Sequence, residues 1–200
     1  MSISNAISLF TQRRTQYALG KNLPLSEDQV DALIREAIRL APSSFNSQSS
    51  RAVILFGAQH EKLWNITRET LRAVVPPENF APTDAKMTAF AAGAGSVLFF
   101  EDQDVIKELQ EKFPLYADNF PVFSEHSAGM AQFAVWTALA EAGIGASLQH
   151  YGPLIDAEVA ATWGVPAHWK MRAQMPFGSN AQPFGDKTFI ADDVRFKTFR

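Results

Sequence analysis

Pro42-Ser43-Ser44-Phe45-Asn46-Ser47-Gln48-Ser49-Ser50-Arg51 sets hydroxyl, amide and guanidinium side chains in a row between an amphipathic helix and an apolar strand. Upstream, Ser26 followed by Gln29 has the spacing of a capping box, and Val30, Leu33, Ile34, Ala37 and Ile38 recur at helical intervals until Pro42 stops them. Downstream, residues 52–56 are an unbroken apolar run of strand length, expected to be buried on both faces. A loop with so many donors and acceptors, between two elements that must pack, is suited to hold a polar ligand.

The remaining elements follow the same logic. Residues 3–14 carry Ile3, Ile7 and Phe10 on one face of a first helix that should end near Arg13 or Arg14. Residues 59–74 are helical through Leu63, Ile66, Thr67, Leu71 and Val74, ended by Pro76-Pro77, and residues 76–94 read as a loop with a short helix. Residues 95–100 form a second buried strand, 102–113 a helix and 114–123 an aromatic loop around Tyr116, Phe120 and Phe123. Ser124 is positioned to cap a long helix running to Gly143. Residues 144–148 and 170–176 give further strands, 156–162 a short helix, and the tail from 186 to 200 alternates around Phe189, Ile190, Val194 and Phe196. Helices first, then strands alternating with helices, predict an α+β or mixed α/β sandwich. Without a repeat, a low-complexity linker or a charge block, residues 1–200 are expected to form a single domain.

Composition narrows the chemistry. The chain is 46% hydrophobic and 20% charged, with a formal net charge of -3, so no broad attraction to nucleic acid or an anionic membrane is expected. The absence of cysteine excludes disulfides, thiolate metal sites, iron–sulfur clusters and a thiol nucleophile. Met1-Ser2-Ile3-Ser4-Asn5 lacks a signal-peptide pattern and residues 88–100 are too short to span a bilayer, so the expectation is a cytoplasmic protein with no membrane partner. His60, His126, His150 and His168 are scattered without metal-ligand spacing, and neither a Gly-x-Ser-x-Gly elbow nor a Walker loop occurs. Gly143-x-Gly145 lacks the third glycine of a dinucleotide fingerprint.

Three polar stations remain: the loop at 42–51, Arg13-Arg14-Thr15 and Pro176-Phe177-Gly178. The loop serves either as a simple polar turn or as a set of donors and acceptors for ribityl hydroxyls and a pyrimidine edge. Arg13 and Arg14 serve either as partners of a helix C-terminus or, where the helix ends, as two cations reaching one phosphate. Converging on one ligand, the stations would make one binding site.

Together these residues resemble the flavin-binding signature of the nitroreductase family. Its members carry a similar Pro-Ser-Ser-x-Asn-x-Gln after their second helix, matched here by Pro42, Ser43, Ser44, Asn46 and Gln48, with Ser49-Ser50 where Pro-Trp is common. They also have Arg-Arg-Ser or Arg-His-Ser near the start, matched by Arg13, Arg14 and Thr15, with Tyr17 replacing a second basic residue. Lys187 follows the Pro-Phe-Gly of Gly178 as a family basic residue often does. Residues 143–153 resemble the family segment whose backbone donates to flavin N5, with His150-Tyr151 where many relatives have Glu-Gly and Gln149 a further candidate to bind the cofactor. His150 and Tyr151 are either packed structural residues or candidates near N5.

The resemblance implies an α+β nitroreductase-like fold, a central mixed sheet flanked by helices, in an intertwined homodimer with two FMN sites at the subunit interface. It implies hydride transfer from NADH or NADPH through FMN to a small-molecule acceptor, a nitroaromatic or quinone, in a ping-pong cycle, with the flavin rather than a side chain carrying the chemistry. The alternatives are an FMN-binding regulatory or storage protein with little turnover, and a scaffold in which the loop is only a turn. The aromatics at 114–123 are expected as core or dimer contacts, or as a wall over the flavin.

Overall fold

The computed structural model describes residues 4–200. Ile3 of the expected first helix lies outside the described residues. Helix α1 (Asn5–Gln12) is capped by Ser4, whose hydroxyl accepts from the Ile7 amide, and it ends at Arg13 as its periodicity requires. A two-residue strand β1 (Leu19–Gly20) leads to α2 (Glu27–Leu40), where both halves of the Ser26–Gln29 capping box form. The chain continues through β2 (Ser50–Phe56), α3 (Gly57–Arg72), α4 (Phe80–Ala91), β3 (Gly95–Asp102) and α5 (Gln103–Lys112). It then passes to α6 (Phe120–Glu141), β4 (Ile144–Ala146), α7 (Asp156–Trp163), β5 (Trp169–Asn180) and the short α8 (Asp192–Arg195).

The strands lie in the order β1-β5-β3-β2, with β4 also paired to β5. Among the described residues every ladder is antiparallel, and the one parallel pairing is the isolated bridge between Thr15 and Ala146. The α+β expectation holds, and the sheet is mixed only through that bridge. Strand β3 sits inside the sheet and is buried along its whole length, so its apolar run feeds both faces. Val97 and Phe99 join Val30, Ile34, Val135, Leu139, Met175 and Phe177 under α2 and α6. Leu98 and Phe100 join Leu63, Trp64, Met87, Phe90 and Val159 under α3, α4 and α7. Three layers result, helices on either side of one sheet.

Four local expectations change. Strand β2 is at the edge and only Leu55 within it is buried, because an edge strand has a neighbour on one side alone. Residues 80–91 form a full helix: Pro82 falls in its first turn, where a missing N–H costs nothing. The aromatic loop is a 3-10 turn at 114–119 followed directly by α6, with Pro121 in the first turn of that helix. Ser124 is therefore not a cap but lies inside α6, buried.

His60 on α3 is fully buried, its Nδ1 2.8 Å from the Ser96 hydroxyl that also accepts from Trp64 Nε1 at 3.0 Å. Burial pushes its pKa down to about 4, against an opposing pull from the Phe90 and Ala91 carbonyls. The folded pKa lies below the unfolded one, so this contribution is complete above about pH 6.5 and lost as pH falls toward 4. We expect the protein to be about 2 kcal/mol less stable at pH 5 than at pH 8 from this group. Urea midpoints across that range should show a steeper loss for the wild type than for His60→Asn, and parallel pH profiles would contradict the assignment.

Candidate functional site

The loop between α2 and β2 is held in a conformation that most side chains avoid. Phe45, Asn46 and Gln48 have φ of 56°, 48° and 49°, all left-handed, and none of the three is glycine. Such strain persists only where surrounding contacts fix it and is concentrated at binding sites. The fixing contacts are visible. Ser43 Oγ accepts from the Gln48 amide at 2.9 Å, the Asn46 amide donates to Ser43 O and the Ser47 amide to Ser44 O. Ser127 on α6 accepts from the Ser44 amide at 3.4 Å. Arg51 Nη1 donates to Gln48 O at 2.6 Å while its Nη2 pairs with Asp102 at 2.9 Å.

With the main chain secured in this way, the side chains of Ser44, Asn46 and Gln48 make no hydrogen bond among the described residues. Asn46 and Gln48 are exposed. Donors and acceptors of both kinds are thus left for something outside the chain. Pro42, Ser43 and Gln48 line a cleft of about 150 Å³ with Ser127 and Ala131 of α6. That is smaller than the roughly 300–1,000 Å³ of a complete small-molecule site.

Arg13 and Arg14 diverge. The Arg13 guanidinium lies 4.5 Å from the centre of the Trp136 ring and 5.9 Å from that of Phe133, and partial burial, with Arg14 beside it, draws its pKa down. Arg14 donates to Gly185 O at 2.6 Å and covers the Phe184 ring at 5.7 Å. It opens onto a cavity of about 470 Å³ with Ala140, Gly143, Gly145, Asn180 and Phe184. Thr15 and Tyr17 line an adjoining space of about 380 Å³ with Gln182 and Gly185. The Pro-Phe-Gly that meets Arg14 is therefore Pro183-Phe184-Gly185, separated from Lys187 by Asp186. A repeated tripeptide seven residues after the first was the available signal for it. Gly178 pairs with Gly145 across β4 and β5, deep in the sheet. Lys187 is exposed, its Nζ 5.1 Å above the Phe189 ring.

In the 149–151 segment, the Gln149 and Tyr151 amides are spent on Gln174, at 2.7 and 2.8 Å, and the Gln149 side chain is buried against Ser147. The His150 amide between them has no acceptor among the described residues, and the His150 side chain is exposed. Tyr151 packs 6.0 Å from Trp64, and burial, reinforced by Tyr17, pushes its phenol up to about 12. It is a neutral donor at physiological pH and not a base.

The polar stations do not meet within one chain. The loop lies beside Ser127 and Ala131, and Arg14 beside Ala140 and Gly143, so α6 separates the two by roughly 15–20 Å. Phe45 turns away from both toward the aromatic turn, 5.0 Å from Phe113 and 5.3 Å from Phe120, so those aromatics buttress the loop. The fold also gathers Asp102, Asp104 and His168, which sequence spacing kept apart. Asp102 there is already occupied, pairing with Arg51 and capping α5.

The chain thus has a three-layer helix–sheet–helix fold, with the strained polar loop beside Ser127 and Ala131 of α6 and Arg14 near the C-terminal end of the same helix. Residues 10–179 match the model of the nitroreductase family, and the chain belongs to that family. It is 49% identical to the nitroreductase CinD of Lactococcus lactis, solved with nicotinic acid, with a TM-score of 0.92 over 98% of this chain and 100% of that one. CinD has also been solved with 4-nitrophenol and with chloramphenicol. The nitroreductase FRM2 of Saccharomyces cerevisiae is 34% identical over 93% of either chain. A nitroreductase of Desulfitobacterium hafniense with bound FMN, 13% identical, shares the fold over the full length of both chains at a TM-score of 0.71. Among the described residues no helix is long and apolar enough to cross a membrane.

Proposed function

We propose that this chain is an FMN-dependent oxidoreductase that passes hydride from NADH or NADPH to nitroaromatic, quinone or similar acceptors in a ping-pong cycle in the cytoplasm. In this reading the whole chain is one FMN-binding domain, and two copies form a homodimer. The observation that carries it is the left-handed loop whose Ser44, Asn46 and Gln48 side chains are unspent. FMN fits this donor set: its ribityl hydroxyls and pyrimidine edge need both donors and acceptors, and its phosphate needs a cation such as Arg14. When bound, FMN supplies the centre that accepts and returns hydride.

The chain's own residues bind and orient. Ser43, Ser44, Asn46 and Gln48, with Pro42 shaping the loop, would hold the ring edge and ribityl chain, and Arg13, Arg14, Thr15 and Lys187 the phosphate end. The His150 amide, flanked by committed neighbours, is the donor left to face N5, and Tyr17 and Tyr151 would wall the ring without exchanging protons. Gln149 and Gly178 support this arrangement from within the sheet. Because α6 separates the loop from Arg14, one copy's loop would complete the other's arginine end. The tail agrees with a partner: Phe189, Ile190, Val194 and Phe196 are all at least 60% exposed.

One preparation tests the reading. The protein should purify yellow with about one FMN per chain and scatter light as twice 22.1 kDa. Varying NAD(P)H against a quinone or nitroaromatic should then give parallel double-reciprocal lines, since donor and acceptor must each approach the same ring face within about 3.5 Å. Colourless protein that takes up no added FMN rejects the proposal, and a yellow protein without turnover supports a binding role alone.

A further inference from the structure

Glu101, the next-to-last residue of β3, is fully buried and makes no ion pair among the described residues. Its carboxylate instead collects three hydroxyls: Ser49 donates to Oε2 at 2.5 Å, Ser124 to the same oxygen at 3.1 Å, and Ser50 to Oε1. Ser49 closes the strained loop, Ser50 opens β2 and Ser124 is on α6. A buried carboxylate with no counter-ion is costly unless hydrogen bonds replace its hydration, and charge-assisted O–H donors are the strong kind. Asp102, the next residue, extends the same anchorage: its side chain holds Arg51, which holds Gln48 O, and its amide donates to Ser49 O at 3.0 Å.

We propose that Glu101 is a positioning residue for the ligand-binding loop. By fixing Ser49 and Ser50 against β3 and α6 it keeps Phe45, Asn46 and Gln48 in their left-handed conformations, so that Ser44, Asn46 and Gln48 face outward in a binding geometry before any ligand arrives. The loop's three left-handed residues are each unfavourable alone, so relaxation is the default once the anchor goes. A carboxylate suits this role where an amide does not. All three hydroxyls donate to it, whereas an amide would turn an N–H toward at least one of them and force that hydroxyl to reverse. This inference rests on the proposed function only for the identity of the ligand.

The test separates the two. Hydrogen exchange on ligand-free protein reads the loop directly, because the Asn46, Ser47 and Gln48 amides are bonded only within it. In Glu101→Gln those three amides should exchange at least tenfold faster while α2 and β3 keep wild-type protection, and the FMN dissociation constant should rise about tenfold. Saturating FMN should restore kcat, since the residue touches neither the cofactor nor the reacting atoms. If Glu101→Gln does not fold, the double variant Ser49→Ala/Ser50→Ala removes the same bonds from the loop side and should give the same two changes. Ser124→Ala, which leaves the loop hydroxyls in place, should give smaller ones. Unchanged loop exchange in a folded variant overturns the anchor, and faster exchange with unchanged FMN affinity overturns its role in binding. Wild-type protein that binds no FMN defeats the proposed function instead, leaving loop exchange alone to decide the anchor.

Discussion

Gly178→Ala is expected to destabilise the protein by about 3 kcal/mol, the upper range for forcing an extra methyl into a packed interior. A β-carbon at this position would fall 2.2 Å from the Gly20 carbonyl oxygen and 3.2 Å from the Ala94 nitrogen and the Gly93 α-carbon. All three are main-chain atoms, so no rotamer change relieves the clash, and β5 must move away from β1 to admit it. Gly185→Ala is the control: it is exposed, and nothing lies within 4 Å of where its β-carbon would be. Urea midpoints should place Gly185→Ala near wild type and Gly178→Ala far below it. Equal midpoints would mean that β1 and β5 can separate freely here, and with them the frame that carries Thr15 and Tyr17.

Arg14→Ala should weaken FMN binding roughly 10- to 100-fold, the range of a lost charge-assisted contact worth about 1.5–3 kcal/mol. Its fork already leans on Gly185 O and Phe184, so little ordering remains to be done on binding. Arg13→Ala should weaken binding too, partly through the lost stack on Trp136. Arg35→Ala should change affinity less than about threefold, because Arg35 is exposed and paired one turn away with Asp31. Fluorescence titration of FMN into the three variants gives the comparison, and indistinguishable dissociation constants would remove the arginines from the phosphate end.

Legibility in the sequence followed how local each feature is. Helix α2 was readable end to end, since its capping box, apolar stripe and terminating Pro42 are all short-range signals. Strand β3 was readable because complete burial leaves a continuous apolar run. Strand β2 carries almost the same run, yet its edge position depends on which strands are absent beside it, and no residue of its own encodes that. The start of α6 lies five residues ahead of the one expected from Ser124, which has the chemistry of a cap but whose hydroxyl serves a carboxylate twenty-three residues away in the chain. The polar loop was visible as composition. Its strain, its unspent side chains and its tether to Glu101 are properties of three-dimensional neighbours, as is the choice of Gly185 over Gly178 as the neighbour of Arg14.

The length of α6 has a consequence in genetics. If two copies share their sites as proposed, each chain contributes a loop to one site and an arginine to the other. A chain damaged only at Arg14 and a chain damaged only at Asn46 would then each be defective with its own kind. Mixed in one cell they would build pairs in which one site holds both faults and the other holds none. Alleles at opposite ends of this helix would thus complement one another, while alleles at the same end would not.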